Sequence, residues 1–118
     1  MSAQPQRTAD YLQHMAQAIE RIQHYTQAMT LDGFLNQPLV QDAVIRNLEV
    51  LGEASHNIEK HDPAFAAAHP ELPLAFAYQM RNALAHGYFK VDLEIVWRTV
   101  QRDLPRLLAQ VQGVMGQV

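Results

Sequence analysis

At 118 residues the chain has room for one domain around one core, and without cysteine it can build neither a disulfide framework nor a thiolate metal site. Its formal net charge of −3 sits poorly with a dedicated nucleic-acid binder, whose bulk affinity comes from a basic footprint. No apolar run approaches the ~20 residues needed to cross a bilayer, and residues 1–7 lack the apolar core of a signal peptide, so a cytoplasmic protein without membrane partners is expected.

Tyr11, Leu12, Met15, Ile19, Ile22, Tyr25 and Met29 fall at spacings of three and four, which predicts an amphipathic helix of roughly five to six turns. The turn signal Asp32-Gly33 places its end near Thr30. Asn36 is the expected N-cap of a second helix, with Pro38 tolerated in its first turn. Its inward stripe is Leu39 or Val40, then Val44, Leu48, Leu51 and Ile58, with Ala54 also inward. Gly52 lies mid-helix, where glycine costs about 1 kcal/mol against alanine. That points to close approach of another helix, within the bundle or across a dimer.

His61-Asp62-Pro63 closes this helix, and Ala64 to Ala68 forms a short helical turn in the connector. Pro73 enters the first turn of the next helix, whose buried face is Phe76, Ala77, Met80, Ala83 and Leu84. After Gly87, Asp92 is the expected N-cap of a final helix with the stripe Ile95 or Val96, Val100, Leu104, Leu107 or Leu108, and Val111. Pro105 falls inside that pattern and is expected to kink it, because proline removes a backbone donor and crowds the preceding turn. There is no internal repeat and no strand-period segment. The expectation is a single all-α domain over 1–118, an antiparallel four-helix bundle with its final helix kinked near Pro105.

The chemistry concentrates in Arg81-Asn82-Ala83-Leu84-Ala85-His86-Gly87-Tyr88, which offers a guanidinium, a carboxamide, an imidazole and a phenol. On a continuous helix Arg81 and His86 stand about 140° apart around the axis, whereas Asn82 and His86, four apart, share a face. Gly87 is suited to the left-handed residue that stops a helix, which would put His86 in the last turn, where the helix dipole favours its protonated form. A phosphate-holding arginine and a histidine near its working pKa suffice for metal-free phosphodiester transfer. An arginine paired with an acidic neighbour and a histidine capping a helix is the plainer reading of the same residues.

Arg81 to Tyr88 matches the R-x4-H-x-Y motif of the HEPN-domain ribonucleases, and the chain most resembles the HepT-like toxins encoded beside MNT-type minimal nucleotidyltransferase antitoxins. The resemblance extends to Gln41-Asp42-Ala43-Val44-Ile45-Arg46-Asn47-Leu48 with Leu51-Gly52-Glu53-Ala54, and to Val91-Asp92-Leu93-Glu94-Ile95-Val96-Trp97 with Leu104-Pro105. Leu72-Pro73-Leu74 departs from relatives that often carry a Trp after the Leu-Pro, a change read as packing. The resemblance implies a homodimeric, metal-independent endoribonuclease toxin with Arg81, His86 and Asn82 as catalytic residues in a cleft at the dimer interface. It also implies a nucleotidyltransferase antitoxin that modifies Tyr88 with AMP, and RNA cleavage giving 2′,3′-cyclic phosphate and 5′-OH ends. The alternative from a different class is a non-catalytic, nucleotide-binding partner subunit of a nucleotidyltransferase.

Glu53 is the best candidate by type for a supporting general base, against the plainer reading of a carboxylate paired with Arg46 or Arg81. Histidines 14, 24, 56, 61 and 69 show no i, i+4 pairing of the zinc-helix kind and read as surface residues, so neither metal nor cofactor is expected. Arg98, Arg102 and Arg106 repeat every four residues as a stripe that is either a solvated face, partly neutralised by Asp103, or a guide for phosphates.

Overall fold

Leu12, Met15, Ile19 and Ile22 place one apolar residue per turn along the first helix, and all four are fully buried. In the computed structural model, which describes residues 5–85 and 92–116, this stripe lies on α1 (Pro5–Thr26) and packs against α3 (Pro38–His61). Helix α3 in turn packs on α5 (Leu74–Ala85), and α1 packs on α7 (Leu104–Met115). Two short helices, α2 (Leu31–Leu35) and α4 (Pro63–Ala68), sit in the connections, and α6 (Leu93–Arg98) leads into α7. The result is the expected all-helical bundle, with no strand among the described residues.

Helix α1 stops at Thr26, four residues before the expected end. The Thr26 hydroxyl donates to the Ile22 carbonyl at 2.8 Å, and Ala28 takes a φ of 63°, the left-handed conformation that breaks a helix. Asp32-Gly33 is therefore helix rather than turn. Thr30 caps α2, its hydroxyl accepting the Gly33 N–H at 3.1 Å, and carries Phe34 to full burial 5.3 Å from the Trp97 ring centre. Asn36 does not cap α3: it is the C-cap of α2, donating to the Asp32 carbonyl at 2.8 Å, and Gln37 stands before Pro38 without a side-chain cap bond.

Asp62 closes α3 through its N–H to the Ile58 carbonyl and opens α4 by accepting the Phe65 N–H at 3.2 Å. Its other carboxylate oxygen accepts the buried Thr8 hydroxyl at 2.6 Å, fastening the start of α1 to the same corner. Leu72 and Leu74 are both buried around Pro73, in keeping with a packing role for that segment, and the Pro73 carbonyl takes the first hydrogen bond of α5. Phe76 corrects the expected inward face of α5: it is 43 % exposed, while Ala77 is buried. At the either-or positions, Val40, Val96 and Leu107 turn inward, whereas Leu39 and Ile95 are 82 % and 51 % exposed.

The last helix starts as expected, with Asp92 accepting the N–H groups of Glu94 and Ile95. Near Pro105 the expected perturbation takes the form of a π turn over Thr99–Asp103, in which the Leu104 N–H reaches back to the Thr99 carbonyl. Proline at the second position of α7 has no N–H for the Gln101 carbonyl and would crowd it in α-helical register, and the wider turn relieves that conflict. Val96, Val100, Leu104, Leu107, Val111 and Val114 all remain buried across the irregularity.

Candidate functional site

Arg81 and Asn82 lie on the last turns of α5, which runs to Ala85. The face opposite Arg81 on α3 is Gly52. A methyl group placed on Gly52 would run into the Arg81 Cβ and stand 2.9 Å from its Cγ and 2.7 Å from the Ala77 carbonyl oxygen. The glycine thus lets α3 and α5 approach until the apolar stem of Arg81 lies against bare backbone. The close approach expected at Gly52 occurs within the bundle, and its partner is the arginine of the motif.

One residue along, Glu53 reaches the other end of the same side chain: its Oε2 is 3.5 Å from Arg81 Nη2. Arg46, the other expected partner, forms no ion pair with Glu53 among the described residues. The two side chains are 53 % and 32 % exposed, so the pair adds little to stability, of order 0–1 kcal/mol. Its effect is orientation. The stem is fixed at Gly52 and the head is drawn toward Glu53.

The pair opens onto a polar cavity of about 350 Å3. Helix α3 lines it with Arg46, Glu49, Glu53 and Asn57, α1 contributes His14, and Arg81 closes it. Positions 46, 49, 53 and 57 follow one another by three or four residues, so they form one stripe of α3. That spacing was available as a signal from sequence, yet Glu49 and Asn57 drew no attention because neither belongs to the motif. A second cavity of about 210 Å3 between α3, α5 and α7 is walled mainly by Leu48, Leu51, Ala77, Met80 and Leu104 and offers little chemistry.

His86, Gly87 and Tyr88 lie outside the described residues, as does the side chain of Asn82. The structure therefore places Arg81 and Glu53 together and does not bear on the other three candidate side chains. Of the remaining histidines, His14 and His24 are exposed as expected, whereas three are half-buried against neighbours: His56 stacks on Tyr78 with ring centres 4.1 Å apart, His61 lies over Tyr11, and His69 Nδ1 is 3.1 Å from Glu71. A hydrogen bond from its own backbone N–H, then one from His69, holds the Glu71 carboxyl below its ordinary value of 4.5. Arg98, Arg102 and Arg106 are all exposed, and among the described residues none is paired with Asp103, which suits a solvated stripe.

Residues 15–114 match the "Ribonuclease HepT-like" family. The chain is 44 % identical over 98 residues to a "Probable ribonuclease HepT" of Thermococcus cleftensis, covering 83 % of this chain and 86 % of that protein. It is 31 % identical over 105 residues to a "Putative RNase" of Caldanaerobacter subterraneus subsp. tengcongensis, covering 89 % and 91 %. It is also 35 % identical over 108 residues to a "Gamma-glutamylcyclotransferase and putative RNase" of Methanocaldococcus jannaschii, matching 92 % of this chain but 47 % of that longer protein. No solved structure matches.

Proposed function

This chain belongs to the HepT-like ribonuclease family, and on that premise we propose that it is a metal-independent endoribonuclease. The observation that carries the reading is the setting of Arg81: a motif arginine seated on Gly52, steered by Glu53 and opening onto a polar cavity. In the proposed reaction the 2′-oxygen of RNA attacks the adjacent phosphorus and the bond to the 5′-oxygen breaks. His86 moves the protons, from the 2′-OH and to the departing 5′-oxygen, while Arg81 and Asn82 hold the phosphate and stabilise its developing charge. The products are a 2′,3′-cyclic phosphate and a 5′-OH, and DNA, lacking the 2′-OH, is inert.

Two copies facing each other would line one cleft with both motif helices, and an arginine of one could then serve a histidine of the other. That arrangement answers the roughly 140° between Arg81 and His86 on a single helix. Glu53 acts here as a positioning residue, since its carboxylate already engages Arg81. Control by an MNT-type nucleotidyltransferase antitoxin follows the same reading. AMP on Tyr88 would add anionic phosphate beside Arg81 and His86 and block the RNA.

The second reading is a non-catalytic, nucleotide-binding partner of a nucleotidyltransferase, favoured by the net charge of −3. Cleavage of total RNA by the protein with unmodified Tyr88, in EDTA, separates the two. We expect cyclic-phosphate ends from wild type and a loss of about 10²–10⁴-fold in His86→Ala. Intact RNA after incubation with wild type would favour the binding partner, and an undiminished rate in the variant would remove His86 from the mechanism.

A further inference from the structure

The cavity beside Arg81 is larger than a phosphate requires, falling within the range of about 300–1,000 Å3 typical of small-molecule sites. It is also chemically mixed. Val50 and Ala54 supply an apolar floor, and Arg46 and Glu49 stand beside it on the same stripe of α3. Among the described residues the side chains of Arg46 and Glu49 make no hydrogen bond or ion pair, so their capacity for a ligand is intact. Arg46 is seven residues from Glu53, about 10 Å along the helix axis, leaving room for a further nucleotide beyond one held at Arg81.

We propose that this cavity binds the nucleotide next to the scissile phosphate of single-stranded RNA, with Arg46 on a neighbouring phosphate and Glu49 reading the base. The inference rests on the ribonuclease reading above. The apolar floor takes the flat face of an unstacked base, as single-stranded RNA permits. A carboxylate accepts hydrogen bonds and cannot donate them, so Glu49 favours bases with an exocyclic amino group, namely adenine, cytosine and guanine. Uracil has no exocyclic amino group, and its single ring N–H is flanked by two carbonyl oxygens whose repulsion of the carboxylate disfavours it.

The test uses the full chain and oligoribonucleotides varied at each position flanking the cut. Wild type is expected to discriminate against uridine at one flanking position by roughly 5- to 150-fold, the range for one well-placed base contact. Glu49→Gln, which can donate as well as accept, erases most of that discrimination while still cutting the amino-bearing substrates. Arg46→Ala raises KM for all substrates alike and lowers the salt-dependence slope by about 1, the behaviour of a phosphate contact. Active wild type with equal tolerance of all four bases, or a discrimination against uridine that is unchanged in Glu49→Gln, overturns the subsite and leaves the nuclease intact. A wild type that cuts no RNA overturns both.

Discussion

Helix α3 packs on α1 along one face and on α5 along another, and the two seams are made of different materials. On the α1 side, Leu12, Met15, Ile19 and Ile22 enter the core at 0 % exposure. A polar intrusion, the Ser55 hydroxyl, is 2.9 Å from the Leu51 carbonyl and 3.7 Å from the Met15 sulfur. On the α5 side the contact includes, beside apolar packing at Leu51 and Ala77, bare backbone at Gly52 against the Arg81 stem, a carboxylate 3.5 Å from its head, and the His56 ring stacked on Tyr78. The first seam holds by buried volume, the second by close approach and direction. One helix thus stabilises the bundle with one face and positions chemistry with the other.

The sharpest way to break that contrast is to damage each seam alone. Ile19→Ala is expected to destabilise the fold by about 2–5 kcal/mol in chemical denaturation while leaving the activity of the folded fraction untouched. A loss below 1 kcal/mol would show that the α1 seam does not carry the fold. Gly52→Ala is expected to be milder in stability, about 1–3 kcal/mol from overpacking, yet to lower RNA cleavage of fully folded protein because the methyl displaces Arg81. Equal activity in the two variants, once folded fractions are matched, would erase the distinction between the seams.

Asp92 lies outside both seams and serves as a reference. Removing its cap bonds to Glu94 and Ile95 in Asp92→Ala should lower stability by about 1 kcal/mol, a value that thermal denaturation can check. The smallest effect belongs to Glu71, in the connector before α5. Its carboxyl is held below 4.5 in the fold, so its contribution is present above that pH and fades as pH falls through the lowered value. NMR titration should place its midpoint below 4.5, and the wild-type advantage over Glu71→Gln should vanish in stronger acid. A midpoint at or above 4.5 would show that the hydrogen bonds to this carboxyl, from its own backbone N–H and from His69, do not persist in solution.

Much of this was legible in sequence wherever a residue's role follows from period. The stripes of α1, α3 and the final helix, the cap at Asp92 and the stop at Asp62 were all read from spacing and residue type. The misreadings fall where a local hydrogen bond outweighs a residue's usual preference. Thr26 and Ala28 end α1 without a glycine to mark the place, and Thr30 draws Asp32-Gly33 into a helix. Phe34 went unnoticed as a core residue because five residues are too few to show a period, although it is fully buried. Pro105 announced trouble but not its form, since a proline alone does not distinguish a bend from a π turn. At the site, the presence of a close contact at Gly52 was legible, but its partner was not. That pairing depends on the relative height of two helices 29 positions apart in sequence (Gly52 and Arg81), which no local pattern records.

Asp62 has a consequence for how the molecule breathes. The Asp62 carboxylate serves Thr8, 54 residues away in sequence, through one oxygen and the Phe65 amide through the other. The first turns of α1 therefore cannot fray without loosening the start of α4. In hydrogen exchange, amides at these two places should open as one cooperative unit, with protection rising and falling together across temperature and denaturant.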